Sequence, residues 1–116
     1  LIGILSNGTE LMLKKAISNS SISNYFDSVI SIDKVGFFKP NQKVYLEACK
    51  EFGCRPDDVL FISSNGWDAA AAKKFGFSVL WINRNSLPVD KLPWTPDFIN
   101  VNLNCVLDVV KKLSQE

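Results

Sequence analysis

The sequence contains no histidine, a single methionine and only three cysteines, and its 13 Lys and Arg are nearly matched by 12 Asp and Glu, for a net charge of +1. Each scarcity narrows the field. Without histidine the chain holds no Ser-His-Asp or Cys-His nucleophile system of its own. With no histidine and no Cys-x-x-Cys pair, zinc is not expected. Cys49, Cys54 and Cys105 are an odd number and no secretory h-region accompanies them, so they read as reduced thiols of a cytoplasmic protein. The charges are scattered in ones and twos, leaving no basic stripe for a nucleic acid and no acidic tail. No apolar run reaches the ~18 residues of a membrane span. No methionine or leader precedes the strand-like Leu1-Ile2-Gly3-Ile4-Leu5, which suggests a missing N-terminal portion.

What the chain does have is 116 residues, 47% of them hydrophobic and 22% charged, the profile of one soluble globular domain. At that length roughly two thirds of the unfolded surface can be buried, so a core forms without disulfides or metal. Short aliphatic runs alternate with helical stretches, the pattern of an α/β domain with a Rossmann-like parallel sheet and helices on both faces. Strands are expected at Leu1–Leu5, Ser28–Ile32, Val59–Ser63 and, as the last one, Phe77–Ile82. The run Val59–Ser63 reads as a strand covered on both faces. Helices are expected over Glu10–Ser18 behind a Thr9 cap, over Gln42–Phe52 stopped by Gly53, over Trp67–Phe75 stopped by Gly76, and over Leu103–Leu113. Asp33–Pro40 reads as loop, as does the segment Leu87–Pro96 with its three prolines.

Polar clusters stand where strands end: Ser6-Asn7-Gly8, Lys39-Pro40, and Ser63-Ser64-Asn65-Gly66-Trp67-Asp68. Each has a plain structural reading. The first is a turn with a capping threonine, Lys39 is a solvated lysine, and Asp68 is an anion placed in the first turn of a helix by the macrodipole. In an open parallel sheet, however, the carboxyl ends of the strands form the ligand crevice, and all three clusters are expected at that rim. Ser6 and Asn7 offer a hydroxyl and an amide to an anion, and Lys39 offers a point charge. Asp68 can accept a hydrogen bond from Lys39 or from a water, fixing the one or aiming the other.

These three clusters resemble the second, third and fourth motifs of the haloacid dehalogenase superfamily, most closely those of the L-2-haloacid dehalogenases, and the likeness runs from Leu1 to about Leu113. Most superfamily members are phosphatases with a magnesium-binding Gly-Asp-Ser-x-x-Asp in the fourth motif. Here Ser63-Ser64-Asn65 stand in that place and only the last acid, Asp68, is kept. The resemblance implies a metal-free hydrolase of short 2-haloalkanoic acids with no cofactor: an aspartate attacks the halogen-bearing carbon, halide leaves, and water splits the ester. It assigns substrate contacts to Ser6 and Asn7, stabilisation of the nucleophile and the substrate carboxylate to Lys39, and support of the lysine to Tyr45. Ser63, Asn65 and Asp68 would orient the nucleophile and the water, and Trp67 would wall the alkyl group, although an aromatic at that position is also ordinary core.

The family's Asp-x-x-x-Thr strand and its helical cap are absent from this sequence, so the chain reads as the C-terminal portion of a core domain, inactive alone. In the family that strand lies between the counterparts of Leu1–Leu5 and Val59–Ser63. Strands are spaced by about 4.8 Å, so its absence requires direct closure, a strand from a second copy, or a separate N-terminal half as partner. Three alternatives remain beside the dehalogenase. A superfamily phosphatase is disfavoured by Ser64, a non-catalytic relic is open, and a signalling receiver domain fails because Lys39-Pro40 comes too early in the chain.

Overall fold

The computed structural model describes residues 1–115. It divides into two compact units, Leu1–Cys54 and the remainder from Arg55 onward. The strands form two separate ladders, all parallel, so the α/β reading of the sequence holds.

In the first unit, β1 (Gly3–Ser6) pairs with β2 (Ser28–Ser31) in the register Gly3 to Ser28 through Ser6 to Ser31. The crossover between them carries α1 (Glu10–Ser18), which starts where expected because Thr9 accepts from the Met12 N–H at 3.2 Å. A second acceptor reaches the same helix end: the Asp33 carboxylate takes the Glu10 N–H at 2.8 Å. β2 stops one residue earlier than the apolar pattern suggested. The Ser31 hydroxyl accepts the Asp33 N–H and starts the short helix α2 (Ile32–Val35), which Gly36 ends at φ 77°. The stretch expected to be all loop therefore begins with a helical turn. α3 (Gln42–Phe52) packs on β1, β2 and α2, buries Val44, Tyr45 and Cys49, and ends at Gly53 in the left-handed conformation at φ 60°.

In the second unit the order is β3 (Leu60–Ser63), β4 (Ser78–Ile82), β5 (Phe98–Asn100), with β4 central. Val79, Leu80, Trp81 and Ile82 are all buried. Leu80 and Ile82 form a cluster with Val109 of α5 (Val106–Ser114), while Trp81 points the other way, toward Gly66 and Ala70 of α4 (Gly66–Phe75). Helices thus cover both faces of this ladder. Ala69–Ala72 are buried, and their small side chains let α4 approach the strands closely.

Three expectations are corrected here. Phe77–Ile82 is not the last strand, because Phe98–Asn100 follows it; the Asp97 carboxylate and amide staple that segment to both backbone polar groups of Val79, at 2.8 and 3.0 Å. Leu103–Cys105 is a 3-10 turn, seeded by Asn102 accepting the Asn104 N–H, and the α-helix begins at Val106. Val59–Ser63 is less enclosed than its apolar run suggests: among the described residues the strand pairs on one edge, with β4, and its Ile62 is 38% exposed. Among the described residues no helix is long and apolar enough to cross a membrane.

Two predictions follow from this packing. Leu80→Ala empties a fully buried position in the central strand, and denaturant titration should show a loss of about 2–5 kcal/mol. The second concerns Lys34, which bonds the Glu51 carboxylate and lies 3.5 Å from Glu47. Its hydrogen bond to Glu51 raises the Lys34 pKa above 10.5, and the same bond, helped by the Ser28 hydroxyl, lowers that of Glu51 below 4.5. A depressed carboxyl stabilises above its unfolded pKa and loses that contribution as pH falls through the folded value. A raised ammonium stabilises below its unfolded pKa and loses it as pH rises through the folded value. The pair therefore acts fully between about pH 4.5 and 10.5, with a small, salt-screened effect at this exposed position. An NMR titration of Lys34→Ala should move the Glu51 midpoint up toward 4.5.

Candidate active site

Each unit carries its own group of candidate residues. In the first unit the chain leaves β1 through Ser6-Asn7-Gly8. The Ser6 hydroxyl accepts the Gly8 N–H at 3.0 Å, closing a local turn, and the Gly8 carbonyl accepts from the Ser31 hydroxyl at 2.7 Å. Asn7 reaches outward: its Oδ1 accepts the Lys39 backbone N–H at 2.8 Å, across 32 residues. Asn7 and Lys39 are thereby brought together, and the Lys39 to Pro40 peptide bond that follows is cis. Tyr45 sits on the first turns of α3 with its side chain fully buried.

In the second unit the chain leaves β3 through Ser63-Ser64-Asn65 and enters α4. The Ser63 hydroxyl donates to Asp68 Oδ2 at 3.0 Å and accepts the Asn65 N–H at 3.2 Å, so one oxygen locks both the turn and the acid. Asp68 is only 4% exposed. It lies in the first turn of α4, where unbonded N–H groups and the macrodipole favour an anion. Asn65 is the N-cap of that helix, yet its side chain makes no capping bond. The amide is therefore held at the helix entrance without serving the helix. Trp67 is 47% exposed, so the ordinary-core reading does not hold for it.

Two residues that tie these turns together were not singled out from the sequence. Ser31 is 2% exposed and holds the Gly8 carbonyl; Trp81 is 4% exposed and its indole Nε1–H donates to the Ser64 carbonyl at 3.3 Å. A serine at the carboxyl end of β2, followed two residues on by Asp33, was the available signal for the first. Trp81 falls in a strand expected from the sequence, where no role at the turn was assigned to it. Among the described residues no group of three or more Cys, Asp or Glu side chains is placed to hold a metal ion.

Chemically, the first group offers a hydroxyl, an amide and a lysine, and the second a hydroxyl-bound carboxylate next to an uncommitted amide. The haloacid dehalogenase-like hydrolase family matches residues 1–76, a span that contains all eight candidates. The chain belongs to that family. Within it, the (S)-2-haloacid dehalogenase of Pseudomonas fluorescens is 42% identical over 102 residues, covering 88% of this chain and 45% of that protein. The crystal structure of the L-2-haloacid dehalogenase RSc1362 matches with a TM-score of 0.91 at 38% identity, over 94% of this chain and 48% of the other. The L-2-haloacid dehalogenase of Xanthobacter autotrophicus, solved with chloropropionic acid covalently bound, matches with a TM-score of 0.85 at 32% identity, over 94% and 54%. The chain spans about half the length of the dehalogenases it resembles.

The Asn7 bond is directly testable. Asn7→Ala removes the acceptor of the Lys39 N–H, worth about 1 kcal/mol, so amide exchange at Lys39 should quicken roughly fivefold while the α3 amides stay unchanged. Equal rates in the two proteins would show that Asn7 does not hold that strand of loop.

Proposed function

We propose that this chain is the C-terminal portion of the core domain of a hydrolytic dehalogenase acting on short 2-haloalkanoic acids. The observation that carries the reading is the Ser63–Asp68 hydrogen bond, with Asn65 left uncommitted beside it. It keeps a carboxylate and an amide at the end of β3, in a turn that has serine and asparagine where phosphatases of the superfamily carry magnesium-binding acids. The names of the relatives support the substrate class.

In this reading a carboxylate from outside the present sequence attacks the carbon that bears the halogen. The carbon–halogen bond breaks as the carbon–oxygen bond forms, and halide departs with the bonding pair. Water then adds to the acyl carbon of the ester, the 2-hydroxy acid leaves with its oxygen, and the carboxylate is restored. Ser6 and Asn7 hold the substrate carboxylate, Lys39 stabilises the attacking carboxylate and the substrate anion, and Tyr45 supports the lysine segment. Ser63, Asn65 and Asp68 orient the nucleophile and the water, and Trp67 lines the alkyl group. In this reading the partner is the part of the relatives that this sequence does not match, which, as a separate polypeptide or supplied by another chain, contributes the nucleophile and a further strand. Held in place, such groups reach effective concentrations that free solutes never do.

The test is chloride release from 2-chloropropionate by this chain alone and with the unmatched half of the Pseudomonas fluorescens relative. None is expected from the chain alone and steady release from the mixture, with Asp68→Asn or Lys39→Met lowering the rate by about 10²-fold or more. Absence of chloride in both arms defeats the proposal. Magnesium-dependent hydrolysis of a phosphate ester by the same mixture would move it to the phosphatase branch.

A further inference from the structure

The two polar turns are held in the same way from the neighbouring strand. Ser31 is the register partner of Ser6, the last residue of β1, and its hydroxyl donates to the carbonyl two residues beyond that partner, at Gly8. Trp81 is the register partner of Ser63, the last residue of β3, and its indole N–H donates to the carbonyl one residue beyond, at Ser64. Both donors are almost completely buried. In a parallel ladder the pairing stops where the strand stops, so a carbonyl in the turn beyond it has lost its ladder neighbour. In each unit a side chain from the adjacent strand replaces it.

We propose that Ser31 and Trp81 are positioning residues: they touch no reacting atom but fix the two turns that carry Ser6 and Asn7 and Ser63, Asn65 and Asp68. For Trp81 a second contact agrees. Its ring lies 3.4 Å from where a side chain at Gly66 would begin, so the indole also backs the start of α4, two residues beyond Ser64. Ser31 has a second bond too, accepting the Asp33 N–H at 3.1 Å, which orients its hydroxyl toward Gly8. Neither residue needs such chemistry for packing, since a buried alanine or phenylalanine would fill most of the same space. The kinetic part of this inference rests on the dehalogenase reading; the structural part does not.

The experiment compares Ser31→Ala, Ser31→Thr and Trp81→Phe with the unsubstituted chain by amide exchange, and then in the chloride assay with the added half. Loss of one neutral hydrogen bond corresponds to roughly fivefold faster exchange. That change is expected at Gly8 for Ser31→Ala and at Asn65 for Trp81→Phe, with the ladder amides of β2 and β4 within about twofold, and Ser31→Thr should restore Gly8. In the assay both variants should lower kcat by about tenfold or more with KM nearly constant, because a displaced turn costs alignment, not affinity. Uniform acceleration along the strands would mark a general loss of stability and overturn the proposal, as would unchanged exchange at the turns, or turns that loosen while kcat stays the same. Turns that loosen as expected in a mixture that releases no chloride even without substitution would leave the positioning role standing and remove the dehalogenase reading.

Discussion

A parallel ladder cannot be closed by a hairpin, and that geometric constraint orders the functional regions of both units. Every strand must exit at the same end as its neighbour and return through a crossover, so each carboxyl end becomes a junction between strand and helix. At such a junction the ladder bonds have ended and the helix bonds have not begun, leaving backbone groups that must find other partners. The chain answers with short polar side chains. Ser6, Thr9 and Asp33 satisfy N–H groups after β1, and Ser63 does so after β3. The concentration of serine and asparagine at these points is thus first a consequence of topology.

That origin makes it necessary to separate side chains consumed by the backbone from those left over. Thr9 is consumed as a cap, and Ser6 is occupied by its own turn. Asn65 occupies a cap position and makes no capping bond, although asparagine is among the best residues for that task. Trp67 sits one helical step before a buried aspartate and still exposes half its surface. These two features fall in the same six-residue segment as Ser63 and Asp68.

How far the sequence could be read depended on whether the governing interaction was local. α1 and α3 were legible at both ends because Thr9 and Gly53 act within four residues of themselves. β3 and β4 were legible from apolar runs. β5 was not, since three residues after a proline-rich loop become a strand only when Asp97 reaches Val79, eighteen positions earlier. The short helix after β2 was missed because its cap, Ser31, stood inside what looked like the strand itself. The site shows the same division. The serine, asparagine and lysine clusters stood out as motifs, but the grip of Asn7 on Lys39 and of Trp81 on Ser64 spans 32 and 17 positions, and no periodicity records it.

The carboxylate of Asp68 is buried in the second unit and has to be compensated within the fold. Taking an anion out of water costs several kcal/mol, which the Ser63 hydroxyl and the helix end help to offset. Directly after it, Ala69–Ala72 show what this side of α4 requires of its neighbours, small apolar residues packed closely on the strands. The turn itself does not require the acid, since Ser63 closes it through the Asn65 N–H. What the acid adds is a fixed negative charge whose orientation is set by Ser63 and whose surroundings exclude water. Those are the properties on which the proposed role of Asp68, aiming a nucleophile or a water molecule, draws.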